Sequence, residues 1–241
     1  MTERPLGRNR PQDDRHIQLY PLRGLLPQAP PITVEKVLPA PSTAMRRYMD
    51  QGQEGSCVGW AWSWALSFMH RPGRSMPRYD ARWIYTQAQQ LDGDPSTPPA
   101  EGTTVRAGGD VLRTEGAVRV WRGKDKPVDP SAGIAADRWA TSVDDVRLGL
   151  SLGIPVVAGT NWYQGMDSPT QKGSEWWMPS DNLGAVRGGH AWCIYGASDR
   201  RQAFKMTNSW GLSGYPLTWV PYALMERLLN EQGEAALITD R

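Results

Sequence analysis

The sequence predicts an α+β protein whose helical and strand-rich halves are separate. Residues 57–70, Cys-Val-Gly-Trp-Ala-Trp-Ser-Trp-Ala-Leu-Ser-Phe-Met-His, are apolar almost all round. That pattern marks a buried central helix rather than a surface one. After residue 140 the chain turns to short β-branched and aromatic runs bounded by Gly, Pro and Ser, which read as strands. The two kinds of segment are segregated, which argues α+β rather than alternating α/β. A length of 241 residues suits one domain of two lobes, or two small domains, and is ample for a core.

Residues 1–43 read as an extended N-terminal arm holding 8 of the 20 prolines. Proline denies helix and donates no backbone hydrogen bond. Residues 32–34, Ile-Thr-Val, fit a short strand. Five Arg and three acidic residues among the first 24 give a mildly basic tip. The arm reads as a strap over the domain. The alternatives are a propeptide-like role and docking of a protein assembly partner.

Residues 44–140 form the helical lobe. Ser56 is placed to N-cap the central helix, and Arg71-Pro72-Gly73 to end it. Residues 78–91 predict a second helix with Trp83, Ile84 and Ala88 inward, followed by a loop over 92–99. Residues 103–115 predict a third, with Val105, Val111 and Leu112 inward and Gly116 as its stop. Residues 141–241 form the strand-rich lobe. A short helix from Ser142 to Leu152 opens it. Strands follow at residues 154–159, 191–196, 203–207 and 217–220, with a loop region over 163–187. No internal repeat is present.

Composition narrows the function classes. Hydrophobic residues are 39% and charged residues 22%, ordinary for a globular protein. A net charge of +2 makes no electrostatic case for nucleic acid or membrane. No apolar run follows the first residues, so no signal peptide is expected, and no stretch reaches membrane-spanning length. Two cysteines, Cys57 and Cys193, allow at most one disulfide, and a cytoplasmic or otherwise reducing setting is the expectation. Use of Arg, Trp and Gly suggests a bacterial or bacteriophage source; if the source is viral, the protein is expected to be particle-associated.

Three distant segments carry groups suited to one acyl-transfer site. They are Gln51-Gly52-Gln53-Glu54-Gly55-Ser56-Cys57, Gly188-Gly189-His190-Ala191 and Asn208-Ser209-Trp210-Gly211. Cys57 heads the apolar helix, where first-turn N–H groups and the helix dipole favour a thiolate. Small residues at Gly55 and Ser56 let a substrate backbone approach. The other two His are His16 in the arm and His70, the latter about 20 Å along the helix from Cys57. His190 is therefore the credible base. A turn and a strand after His190 would bring Asn208 back beside it, where an amide oxygen can hold the imidazole. Gln51 can join the Cys57 N–H in stabilising an oxyanion. Each group alone has an ordinary explanation: an inert cysteine, a satisfied histidine, a turn asparagine, a surface glutamine.

In order and spacing, these segments resemble the papain-like cysteine peptidases of clan CA, the papain family itself. Gln-Gly-x-x-Gly-Ser-Cys, Gly-His-Ala and Asn-Ser-Trp-Gly stand in that family's order, and His190 lies 133 positions after Cys57. The likeness extends more faintly over residues 45–238. It implies a two-lobe fold, a helical lobe against a β-barrel-like lobe, with the site in the cleft between them. It implies Cys57 as nucleophile, His190 as base and then acid, Asn208 as orienter of His190, Trp210 as shield and Gln51 as oxyanion donor. A resting thiolate–imidazolium pair follows. Gly102, in Glu101-Gly102-Thr103, would edge the substrate cleft together with Gly189. No cofactor or metal is implied.

The chain also departs from the family pattern. Glu54 stands where secreted relatives have a half-cystine and would raise the thiol pKa if it pointed inward. Val58 replaces an aromatic. The arm is too short for the family's common helical prodomain, so control of activity is expected elsewhere. The leading reading is an endopeptidase acting on polypeptides through a thioester. Second comes a non-enzymatic interaction module on the same fold, for example in a viral particle. A cell-wall peptide hydrolase is third.

Overall fold

A computed structural model describes residues 4–11, 15–19, 21–22, 33–71, 75–93, 101–121 and 124–240. After a short helix α1 (Arg15–Leu19) and strand β1 (Glu35–Val37) comes helix α2 (Thr43–Tyr48), N-capped by Ser42. The central helix α3 (Cys57–Met69) is buried from Cys57 through Phe68, as its all-round apolarity requires. Strand β2 (Arg78–Tyr79) leads into α4 (Ala81–Asp92), whose Asp80 cap accepts from the Trp83 N–H. Helix α5 (Val105–Thr114) is capped by Thr104. Both helices meet α3 at glycines, Gly59 of α3 for α4 and Gly108 for α5. A Cβ on Gly59 would stand 2.1 Å from the Ala81 carbonyl oxygen, and one on Gly108 of α5 would stand 2.4 Å from the Trp62 ring.

Strands β3 (Ala117–Trp121) and β4 (Lys124–Asp129) join β2 in a three-stranded antiparallel sheet beside the helices. Strand β5 (Ile134–Ala140) leaves it for the large sheet. Helix α6 (Val143–Ser151), capped by Ser142, precedes β6 (Val156–Tyr163), β7 (Thr170–Lys172), β8 (Glu175–Trp177) and β9 (Val186–Ser198). Then come β10 (Ala203–Thr207), β11 (Leu217–Pro221), α7 (Tyr222–Asn230) and β12 (Glu234–Asp240). The order is β5-β12-β6-β9-β10-β11-β8-β7, with β1 on β9, and every pairing is antiparallel except β8 with β11. The architecture is α+β with a helical lobe and a strand-rich lobe, as the segregated patterns predict.

Several local expectations change. Ser56 is not a side-chain cap: its Oγ accepts from Trp60 Nε1 at 3.1 Å. The second helix begins at Ala81, because residues 78–79 pair with β3. The short strand of the arm lies at 35–37. The 163–187 region carries β7 and β8, and α2, α7, β5 and β12 went unread. Residues 32, 72–73 and 94–99, part of three sequence readings, lie outside the described residues.

One hydrophobic core surrounds α3, and another, containing Trp162, Trp192, Phe204 and Met225, lies within the strand-rich lobe. Trp62 is fully buried and gives its indole N–H to the Val105 carbonyl at 3.0 Å. Trp62→Ala removes that bond and opens a cavity under Gly108. It should destabilise the fold by about 3–5 kcal/mol, read from urea unfolding midpoints. A loss under about 1 kcal/mol would contradict the packing described.

Candidate active site

Cys57 is the first residue of α3, and its Sγ accepts the Ala191 N–H of β9 at 3.3 Å. The seam between helix head and strand therefore brings together segments 134 positions apart. His190 pairs across the sheet with Thr160 of β6. Its Nε2 lies 2.9 Å from Asn208 Oδ1, which also accepts the Ser209 N–H at 2.8 Å. A backbone N–H must meet an acceptor, so the atom facing His190 is the amide oxygen and the ring carries its proton on Nε2. Nδ1 is left as the basic nitrogen, buried without a hydrogen-bond partner. Trp210 lies over the ring at 4.8 Å between centroids, and Trp162 meets it edge-on at 4.7 Å. Trp64 of α3 donates to the Asn208 carbonyl at 3.3 Å, fixing the Asn loop from the helical side.

Gln51 is fully buried. Its Oε1 accepts from Ser209 Oγ at 2.6 Å, which aims Nε2 at the carbonyls of Glu54, at 2.8 Å, and Pro5, at 3.2 Å. The backbone ties this turn to the same loop through Gln51 N–H to Ser209 carbonyl at 2.8 Å. Cys57, His190, Asn208, Trp210 and Gln51 are thus brought together. Glu54 pairs with Arg82 at 3.4 Å. Among the described residues, no three His, Cys, Asp or Glu converge as metal ligands.

The arm lies across this site. Gly7 presents its N–H to Cys57 Sγ. Its carbonyl accepts the Thr103 N–H at 3.0 Å, the Arg8 N–H reaches the Gly189 carbonyl at 3.0 Å, and the Asn9 N–H reaches the Thr103 carbonyl at 2.9 Å. The glycines picked out by sequence line this trough. A Cβ on Gly7 would fall 1.6 Å from the Gly55 oxygen, and one on Gly189 would fall 2.1 Å from the Arg8 oxygen. Gly102, at φ +91°, faces the Gly7 oxygen. Ser56 lies beneath, turned to Trp60. Residues 4–11 thus lie in the cleft. A hollow of about 450 Å³ lies off to one side, between Asn9-Arg10-Pro11 and Asp92, Arg106 and Asp110.

Burial sets the protonation of the pair. Desolvation pushes the Cys57 thiol up to about 11, against the N–H groups of Ala191, Gly7 and Val58, which favour the thiolate. Burial likewise pushes His190 down to about 4, against its bond to Asn208. With the arm seated, thiol and imidazole are both neutral at pH 7. Burial of both groups therefore works against the resting ion pair expected from sequence. Sequence reasoning also missed Ser209, Trp162, the Ala191 N–H, Arg8 and Glu234. Of these, Ser209 and Ala191 stand inside motifs that could have pointed to them.

A search of solved structures gives likenesses over nearly the whole chain. Xylellain, a cysteine protease from Xylella fastidiosa, matches at TM-score 0.69 and 21% identity, over 100% of this chain and 99% of that one. The chain has the papain-like fold. Digestive procathepsin L2 proteinase from Tenebrio molitor matches this papain-like chain at TM-score 0.58 and 15% identity, over 98% of this chain and 78% of that one. The Carica candamarcensis cysteine protease CMS1MS2 matches at 0.53 and 13%, over 80% and 92%. No family profile and no curated protein sequence matches the chain.

The buried imidazole makes a spectroscopic prediction. At pH 5.5, between the free value of 6.5 and about 4, an exposed imidazole is mostly protonated and His190 should stay neutral. Its ¹⁵N shifts should show a protonated Nε2 and a bare Nδ1, and an imidazolium at that pH would contradict the geometry. The sign carries to stability. Between the two values the unfolded chain binds the extra proton, so His190 should cost stability as pH falls through that window, levelling off below about 4.

Proposed function

We propose that the chain is a cysteine endopeptidase of papain-like mechanism, held latent in the state described by its own arm. The observation that carries this reading is the His190 ring, fixed by Asn208 through Nε2 and leaving a bare Nδ1 at the seam that holds Cys57. Cys57 would give its proton to Nδ1, and the thiolate would attack a peptide carbonyl carbon. The oxyanion would be met by the Gln51 amide and the Cys57 backbone N–H. Collapse would break the C–N bond while His190 returns the proton to the leaving amine. Water activated by His190 would then hydrolyse the thioester.

The seated arm supports latency. It brings the Gly7 N–H to the sulfur and fills the trough that a substrate backbone would occupy. Removing the arm would admit water, and solvation together with the helix-head N–H groups would lower the thiol pKa. The closed, protonated thiol is also what an inert interaction module on this fold would show, and arm displacement separates the two readings. A place in a viral particle rests on composition alone.

In the full chain, Gly7→Val should eject the arm, because a side chain there meets the Gly55 carbonyl at 1.6 Å. Turnover of a denatured-protein substrate should rise at least tenfold over the unaltered chain. Cys57→Ala in the same background should abolish it. Equal turnover with and without the thiol would sink the peptidase reading. In that background Gln51→Ala should lower kcat by about 10²–10³-fold, the usual loss for one oxyanion donor.

A further inference from the structure

We propose that Lys205 and Arg201, on either side of the Glu175 carboxylate, form a binding site for a tetrahedral oxyanion, phosphate or sulfate. The site lies at the β7–β8 end of the large sheet, outside the group of residues around Cys57. It is independent of the peptidase reading.

Cross-strand pairing sets the place. Lys205 of β10 stands opposite Trp219 of β11, and Trp219 stands opposite Trp177 of β8. Directly opposed residues share a sheet face, so one cation and two indoles form a row. The Trp177 and Trp219 rings stack with centroids 5.8 Å apart. Lys205 Nζ lies 4.6 Å from the Trp219 centroid, and Arg201 Cζ lies 5.0 Å from it. Lys172 Nζ lies 5.2 Å from the Trp177 centroid.

A single carboxylate serves this group, and both its oxygens are committed. Glu175 Oε1 accepts the Trp219 indole N–H at 2.8 Å, and Oε2 meets Arg201 Nη1 at 3.1 Å. Lys205 Nζ is left 3.9 Å from Oε1, beyond hydrogen-bond reach. Among the described residues that Nζ makes no hydrogen bond, although the Lys205 side chain is only 10% exposed. An ammonium has three donors, and burying it without acceptors is costly. An apolar side chain would support the Trp219 ring without that cost. Burial pushes the Lys205 amine down to about 8, against the pull of Glu175 and with help from Arg201. Lys205 and Arg201 against Glu175 leave one positive charge in excess, and Lys172 adds another.

An oxyanion between the ammonium and the guanidinium supplies the missing counter-charge. The Arg201 side chain is 39% exposed, so the group opens to solvent on that side. Phosphate and sulfate carry acceptor oxygens on several sides and can take a charge-assisted bond from each cation at once.

The chain has five lysines, so their signals can be resolved and report the site directly. Full-length chain labelled with ¹³C-lysine is titrated with sodium phosphate, against sodium chloride at equal ionic strength. One lysine ε-signal should shift saturably with phosphate alone, and Lys205→Met should remove that signal. With phosphate bound, its titration midpoint should rise from about 8 toward the ordinary 10.5, because a nearby anion favours the charged amine. Phosphate should also raise the thermal unfolding midpoint above the chloride control, as expected of a ligand held only by the folded chain. Arg201→Gln, at a partly exposed position, should weaken phosphate binding about tenfold or more, the usual result of losing a charged hydrogen-bonding partner. Equal responses to phosphate and chloride would mean ionic screening only and would overturn the site. A phosphate response unchanged in both Lys205→Met and Arg201→Gln would overturn it as well.

Discussion

Everything in the cleft depends on one contact, the Ala191 N–H on the Cys57 sulfur at 3.3 Å. It joins the head of a buried helix to the middle of a 13-residue strand. Neither partner has room to move. Helix α3 is enclosed along its length, and β9 is paired on both sides, with β6 and then with β1 and β10. Placing Ala191 places His190 one residue earlier. The strand after the next turn returns the chain with Asn208 opposite the imidazole. The same loop supplies Ser209 to Gln51, so Cys57, His190, Asn208 and Gln51 share one rigid junction.

That rigidity has an electrostatic consequence. A thiol at a helix N-terminus is favoured as thiolate, but here burial outweighs the N–H groups and raises it to about 11. The arm adds to that burial, covering the site with Gly7 and anchoring itself with the Arg8–Glu234 pair. A buried ion pair contributes little net stability once its desolvation is counted. Its contribution is register: it fixes which residue of the arm stands at the sulfur.

The groups that meet at the candidate site could be picked out in sequence because their residue types are chemically constrained and their motifs local. Helices α4, α5 and α6 were legible too, through cap residues and apolar spacing. The rest was hidden for identifiable reasons. Strands β5 and β12 hold few motif residues and exist through pairing with each other and with β6, which no local pattern reveals. The turn of Ser56 toward Trp60 is a choice between two donors that only packing settles. Arg8 and Glu234 lie 226 positions apart, each looking like an ordinary surface charge, and only the missing side chain at Gly159 makes a place for them to meet. Protonation also misled. The helix-head argument was sound, but it omitted the desolvation created by a segment that read as a strap.

The most direct test of the central claim is the titration of Cys57 itself, followed as the pH dependence of iodoacetamide alkylation in the intact chain and in Gly7→Val. The intact chain should label slowly at neutral pH, its rate rising only as pH approaches about 11. The Gly7→Val chain should titrate several units lower and label rapidly at pH 7. Coincident curves for the two chains would mean that the arm does not govern the thiol.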